Sequence, residues 1–433
     1  MVFAELQRFT PASLEEVAEL VREAAARGMG IYPIGGGTSL GYGGRPTKAG
    51  WAVSLQQLRG VIDYPARDLT ITVGAGLPVA ELQAILGQQR QHWAVDVPQP
   101  QQATVGGVVA CNLSGPRRYA YGAVSESVLA LRAVDGQGTI FSAGARVVKN
   151  AAGYNLCRLL AGSLGTLGIL GEVTLRVQPL PETSTLMVGS LEDWDLADRL
   201  LSQLMEGPGL PTAIELAAGP AWADDPLLGP LKPPAKAWLV VGLEGSAKEV
   251  CWQVERLQSA WARAGIRYCQ RLAEATVPAM WHRLTEFPVR SSPQPLLVNG
   301  LPPARLLPEP KPQEPFLVVQ AAVLPSRLLP LLVRWLKSDS AVSVLAHAAH
   351  GSLIGYFPLA QIEASRWLQE VIFPSVLAEA GHAQVLTAPD EVVLKPSELW
   401  THPPAASRLM QALKNRFDPQ AVLNPGRLGF GIE

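Results

Sequence analysis

Four glycine-rich segments fall in order within the first 180 residues. They are Pro33-Ile-Gly-Gly-Gly-Thr-Ser-Leu40, Ala103-Thr-Val-Gly-Gly-Val-Val109, Asn112-Leu-Ser-Gly115 and Gly162-Ser-Leu-Gly-Thr-Leu-Gly-Ile169. Side chains are dispensed with where a backbone must approach a large, flat or phosphate-bearing ligand closely. One such loop constrains little. Four of them, separated by strand-like segments, point to a protein wrapped around a dinucleotide.

A chain of 433 residues exceeds what one ordinary core supports, so two or three domains are expected. Hydrophobic residues make up 48% and charged residues 17%, the balance of a packed globular protein rather than a disordered one. With a net charge of -1 and no basic block, nothing recommends a nucleic-acid partner. The start, Met1 to Arg8, lacks the basic and then apolar regions of a signal peptide, and a cytoplasmic protein is expected. The most apolar stretch, Phe316 to Leu336, contains Pro325, Arg327, Pro330 and Arg334 and is a poor bilayer span. The 11 Trp leave room for a buried subunit interface, although a large core accounts for them as well. Cys111, Cys157, Cys251 and Cys269 form no Cys-x-x-Cys pair, so neither an iron–sulfur cluster nor a zinc site is expected from them, and a reducing compartment is.

The hydrophobic spacing predicts a helix over 12–27, with Ser13 and Glu16 in a capping-box pattern. Strands are predicted over 31–34, 51–55, 69–73, 127–134, 139–142 and 171–177, and helices over 79–86 and 154–160. Pro179-Leu-Pro181 marks a boundary. Beyond it, strands over 237–242, 316–322 and 342–346 alternate with helices over 246–263 and 325–336, suggesting a ferredoxin-like sheet covered on one face. Gly207–Pro211, Asp224–Pro234 and Pro302–Pro315 read as surface loops, no internal repeat stands out, and 406–417 reads as a final helix.

The loop Gly35-Gly-Gly-Thr-Ser-Leu-Gly41 follows a strand, where consecutive N–H groups can converge on pyrophosphate oxygens and Thr38 and Ser39 can add donors. It is neither Gly-x-Gly-x-x-Gly nor a Gly-Lys-Ser/Thr loop; the alternative is a tight turn. Thr104–Gly107 and Asn112–Gly115 flank an apolar stretch and suit the face and polar edge of a flavin; the alternative is close packing through small residues.

The run Val148-Lys-Asn-Ala-Ala-Gly-Tyr-Asn-Leu-Cys-Arg-Leu-Leu160, followed by Gly162 to Ile169, resembles a signature of the PCMH-type FAD-binding flavoproteins, closest to the glycolate oxidase and D-lactate dehydrogenase group. Ser114-Gly-Pro-Arg-Arg118 and the ending Phe417-Asp-Pro-Gln-Ala-Val-Leu-Asn-Pro-Gly-Arg427 narrow it to the FAD-binding subunits of bacterial glycolate dehydrogenase. The resemblance covers residues 5–180 and the last thirty well, and the middle loosely. It implies an α+β fold: a PCMH-type FAD-binding domain of two α+β halves over 1–180, a ferredoxin-like cap (substrate) domain over 181–402, and a C-terminal segment over 403–433 returning to the first. Gly35, Gly36, Gly37, Thr38, Ser39 and Leu40 would hold the pyrophosphate. Thr104, Gly106, Gly107, Asn112, Ser114 and Gly115 would lie along the flavin, with Gly122, Gly162, Gly165 and Ile169 completing the cleft. Covalently flavinylated members often carry a histidine just after the paired glycines. Gly37-Thr38 stands here, so non-covalent FAD is expected.

The catalytic half departs further from the family pattern. Larger members carry His-Ala-Gly-Asp-Gly-Asn-Leu-His in the cap and a downstream Glu-His-Gly. This chain has His347-Ala-Ala-His-Gly-Ser-Leu-Ile354 and Gly381-His382. His347, His350 and His382 are candidates for a base or a metal ligand, the alternative being satisfied or exposed cap histidines. Arg118, with Arg117, can anchor a carboxylate or a phosphate, or form a surface or subunit contact. Lys149 is a candidate structural residue near the FAD cleft, and Trp281-His-Arg283 resembles a substrate-domain segment of the family.

The implied function is oxidation of a small 2-hydroxy acid, glycolate or D-lactate, through flavin. The implied partners are a larger paralogous FAD subunit and an iron–sulfur subunit, leaving room for peripheral docking on a membrane through the complex. Two alternatives stand beside it: an accessory FAD or scaffold subunit that never meets substrate, and a stand-alone flavin-dependent dehydrogenase.

Overall fold

The computed structural model describes residues 6–145, 154–207, 209–230, 235–288, 315–360, 362–389, 391–401 and 406–428. Lys149, the 148–153 half of the signature run, the 231–234 and 302–314 stretches and the expected boundary at 402–403 lie outside them. The chain divides into two compact units: Met1–Ser114, Tyr121–Leu180 and Leu394–Glu433 in one, Gly115–Ala120 and Pro181–Val393 in the other. The division departs from the expected boundaries in two places, because Gly115–Ala120 packs with the second unit and the C-terminal segment begins at Leu394.

The first unit is built on two larger sheets, beside a two-stranded ladder of Gln91–His92 with Gln178–Pro179. Gln7–Phe9, Gly50–Ser54 and Gly30–Ile34 form a three-stranded parallel sheet in that spatial order. The helix Leu14–Ala26 covers it: Ser13 Oγ accepts from Glu16 N, and Leu14, Val17, Ala18, Val21 and Ala24 recur at helical spacing and are all buried. They pack with Ile31, Trp51 and Val53, and each buried Val or Leu contributes about 1.5–3 kcal/mol. The capping box is not closed on Ser13, because the Glu16 carboxylate accepts from Ala12 N at 2.8 Å. Val61–Asp63, Thr70–Gly74, Ile169–Arg176, Val128–Val134 and Ile140–Gly144 form a five-stranded antiparallel sheet over a second core. Leu423 joins the first sheet by a parallel bridge to Ile31, so the C-terminal segment belongs to this unit's core.

The second unit is built on one eight-stranded antiparallel sheet. Its order is Cys269–Arg271, Thr183–Leu191, Ala237–Gly245, Ala213–Ala218, Ser343–His347, Ser352–Pro358, Phe316–Ala322 and His382–Thr387. The first four strands, with the helices Trp194–Glu206 and Ala247–Ala264, follow a β-α-β-β-α-β run. The last four, with Pro325–Ser338 and the helical stretch 364–378, follow another. The spatial orders, 4-1-3-2 and 2-3-1-4, are the same order read in opposite directions. The cap is therefore two ferredoxin-like halves joined edge to edge through the second strand of each. The sequence shows no repeat because only topology is duplicated, and apolar strands can be rebuilt from many residue choices.

Candidate functional site

In the first unit, the strand Gly30–Ile34 delivers its loop onto the start of the helix Val105–Cys111. A Cβ on Gly35 would lie 2.2 Å from Thr104 Oγ1, and one on Gly36 would lie 1.7 Å from the Gln102 carbonyl oxygen, so the loop reaches this position only with glycine. Thr104 caps the helix by accepting from Gly107 N at 3.3 Å. Gly106 permits the same helix to approach Ala75, whose Cβ would stand 2.6 Å from a Cβ there. Gly37 differs: its φ is +78°, and a side chain there would meet only Leu40 Cδ1, at 3.8 Å. Thr38, Ser39 and Leu40 form the following turn, in which Ser39 O accepts from Tyr42 N and the Ser39 hydroxyl meets the Cys111 thiol. Leu40 packs on Tyr32 and Ile34.

Asn112 ends the helix in a left-handed conformation, and its Oδ1 accepts from Ser125 N at 3.0 Å. Gly162 N donates to Val109 O and Leu164 N to Ala110 O, which fastens the 162–165 turn to the same helix. Gly165 closes on Pro33, whose Cγ would be 3.0 Å from a Cβ at that position. The loops at 33–40, 104–112 and 162–165 thus pack on one another. Gly122 serves a turn beside Glu126. Ile169 is committed elsewhere, with its side chain in the core and its register position opposite Val134.

The fit to a dinucleotide rests on what these loops leave over. Ser114 Oγ and Asn424 Oδ1 are buried and have no hydrogen-bond partner, although a buried hydroxyl or amide is costly unless bonded. Both lie in the unit that carries the glycine loops. Gly36→Ala is expected to cost about 1–3 kcal/mol by overpacking and to yield protein that purifies without flavin. Gly37→Ala meets no clash and is expected to cost about 1 kcal/mol from its backbone alone. Melting temperature and bound-flavin content check both.

The second unit holds a different constellation. The central strands Ala213–Ala218 and Ser343–His347 pair with Glu215 opposite His347. Residues directly opposite share a face, and His347 Nδ1 stands 2.7 Å from Glu215 Oε2, each residue 1% exposed. Where the carboxylate is ionised it only accepts, which puts the proton on Nδ1 and leaves Nε2 as the basic nitrogen. The turn Ala348–His350 brings His350 back over His347, with ring centroids 5.1 Å apart and planes 22° apart. Gly351, at φ +73°, allows that turn. Burial, then His347, then Arg118 push the His350 pKa down to about 3, against smaller upward pulls from the backbone at Gly115 and at His350 itself.

A base held neutral in the fold costs stability once the unfolded chain takes up a proton. Stability should therefore be complete above about pH 6.5 and fall between there and about pH 3, by about 1–2 kcal/mol at pH 5 for this group alone. His350→Phe is expected to flatten that acid limb in denaturant melts across pH.

Among the sequence candidates, His347, His350 and Arg118 are brought together, and Gly115 lies with them rather than with the glycine loops. His382 is not. It is exposed on the edge strand, in the register row His347–Ser352–Ala322–His382, about 14 Å away at three strand spacings. Arg117 is held by Glu244 at 3.1 Å and stacked 3.9 Å over Trp281, and Arg283 is paired with Asp225. Among the described residues, no group of three His, Cys, Asp or Glu side chains is placed to hold a metal ion. Glu215 escaped the sequence reading; its signal was a single carboxylate inside the apolar run Ala213 to Ala218.

Residues 6–144 match the FAD binding domain, and residues 399–428 match the C-terminal domain of FAD linked oxidases. Glycolate oxidase subunit GlcE of Escherichia coli is 36% identical over 177 residues, 41% of this chain and 49% of that protein. D-2-hydroxyglutarate dehydrogenase of Xanthomonas citri is 36% identical over 186 residues, 43% of this chain and 39% of that one. These matches span half or less of the relatives' length. Glycolate oxidase subunit GlcD of Bacillus subtilis is 25% identical over 441 residues, 96% of this chain and 87% of the relative. The structure of alkyldihydroxyacetonephosphate synthase superposes with a TM-score of 0.67 at 17% identity, covering 96% of this chain and 75% of that one, which establishes a shared fold. Among the described residues no helix is long and apolar enough to cross a membrane.

Proposed function

We propose that this chain is a FAD-linked oxidase, the FAD-binding subunit of a 2-hydroxy acid dehydrogenase acting on glycolate or D-lactate with non-covalent FAD. One observation carries the reading: the buried Glu215–His347 pair with His350 stacked on it and Arg118 acting on it. Relatives named as glycolate oxidase subunits support the substrate class.

Oxidation of a 2-hydroxy acid removes the hydroxyl proton and the C2 hydride and leaves a 2-oxo acid. When bound, flavin supplies the two-electron acceptor. His347 Nε2 takes the hydroxyl proton. Glu215 fixes the ring through Nδ1–H and offsets the charge that develops on it. His350, uncharged at any physiological pH, lies against that ring without opposing its protonation. Arg118 supplies positive charge for the substrate carboxylate. Thr38, Ser39 and the backbone of Gly35 to Gly37 would hold the pyrophosphate, and Ser114 Oγ a polar group of the flavin.

The four cysteines are dispersed, so electrons leave to an external acceptor, for which we propose an iron–sulfur subunit in a complex with a larger paralogous FAD subunit. The burial of the Glu215–His347 pair favours a second reading, an accessory flavin subunit in which the pair is structural. Dye-linked assays with glycolate, D-lactate and D-2-hydroxyglutarate, on the chain alone and with its partner subunits, separate them. Turnover by the chain alone supports catalysis here. Turnover only in a complex, unchanged by His347→Gln, supports the accessory role.

A further inference from the structure

The turn Asn424-Pro-Gly-Arg427 is built into the glycine-loop region of the first unit. Asn424 N donates to Ile31 O at 2.8 Å, and Ile31 N to Val422 O at 2.7 Å, which docks the turn on the strand that leads into the Gly35–Leu40 loop. Asn424 is left-handed at φ +49°, and its Nδ2 donates to Leu164 O at 2.5 Å, inside the Gly162–Gly165 turn. Its Oδ1 is left buried with no hydrogen-bond partner, on a residue 6% exposed.

Arg427 is 5% exposed and donates from Nη1 to Gly44 O at 2.5 Å. Gly44 N donates in return to Arg427 O at 2.9 Å. A Cβ on Gly43 would stand 2.3 Å from Arg427 O, and one on Gly44 2.0 Å from Gly426 O, so the stretch after the glycine loop is shaped to this turn. The Cys111 thiol and the Tyr32 phenol are among the groups whose fields reach the guanidinium. Cys111 in turn meets the Ser39 hydroxyl of the glycine loop. Burial pushes the Arg427 pKa down to about 10, which keeps it cationic at neutral pH.

A buried cation and a buried orphan acceptor thus sit on one four-residue turn, beside the loops proposed above to hold the pyrophosphate. We propose that this turn is a wall of the FAD site. Arg427 sets its charge toward the pyrophosphate, and Asn424 Oδ1 accepts a hydrogen bond from a cofactor hydroxyl or N–H group. The inference rests on the chain's carrying FAD.

The test is FAD affinity of the full-length apoprotein, followed by flavin fluorescence at low and high salt, with ADP as a flavin-free competitor. Arg427→Met is expected to weaken FAD and ADP about 10- to 100-fold at low salt and to flatten the salt dependence, with Arg427→Lys intermediate. Asn424→Gly, which keeps the left-handed backbone, is expected to weaken FAD about 2- to 10-fold. An Arg427→Met protein that melts like wild type and binds FAD within about two-fold of it would overturn the proposal. If that variant does not fold, hydrogen exchange on wild type decides: FAD is expected to slow the Gly426 and Arg427 amides, and unchanged rates overturn the idea. Wild type that binds no FAD would remove the cofactor reading itself, whereas wild-type binding with indifferent variants removes only this inference.

Discussion

His347→Gln is expected to slow substrate-dependent reduction of the protein about 10²- to 10⁴-fold, the range associated with losing a positioned general base. The substitution keeps a hydrogen-bonding side chain beside Glu215, so the buried carboxylate is not stranded. His347→Ala would strand it, and loss of one partner of a buried pair costs about 3–5 kcal/mol. FAD affinity should stay at the wild-type value, because the pair lies in the second unit and the glycine loops in the first. Stopped-flow reduction alongside FAD binding separates the two effects. A His347→Gln protein that is reduced at the wild-type rate would assign the pair a structural role.

The second large effect concerns how the C-terminal segment is held. Lys414, 1% exposed on the helix Ser407–Phe417, donates to Asp418 Oδ2 at 2.5 Å, Leu423 O at 2.8 Å and Thr166 O at 3.0 Å. Asp418 also accepts from Val422 N and Leu423 N. Burial lowers the Lys414 pKa, and Asp418 pulls it back up. Lys414→Met leaves a buried carboxylate without its cation and two carbonyls without their donor, at a cost of about 3–5 kcal/mol. For a unit of this size that is a fall of about 6–20 °C in melting temperature. Because Leu423 bridges to Ile31 beside the glycine loop, FAD occupancy should fall with it. Calorimetry and flavin content measure the two together, and a shift under about 2 °C would show the pair to be dispensable.

What could be read ahead of the structure followed from local chemistry. Ser13 and the spacing of Leu14, Val17 and Val21 placed the first helix within two residues of its observed ends, because capping and periodicity are local signals. Phe316–Ala322 was placed to the residue. The strands Thr183–Leu191, Ala213–Ala218, Ser352–Pro358 and His382–Thr387 were missed. The middle two are buried along their whole length, and a short, wholly apolar run has no period by which to distinguish strand from helix.

The glycine loops were legible as a group, yet the reasons for individual glycines were not. Gly35, Gly36 and Gly106 are small because protein presses on them, whereas Gly37 opens onto space. The cap histidines were read from a motif that this chain keeps only in part. Pairing Glu215 with His347 required strand register across 132 positions, which no spacing rule supplies. His382 belongs to a separate downstream segment and lies three strands from His347 across the sheet.

Anaerobic absorbance of the purified chain, reconstituted with FAD and titrated with glycolate and then D-lactate, bears most directly on the central claim. The account predicts a flavin spectrum that bleaches with at least one of the two acids, and bleaches far more slowly in His347→Gln. A flavin spectrum that neither acid changes would contradict it, and the buried Glu215–His347 pair would then be part of the cap's architecture rather than of its chemistry.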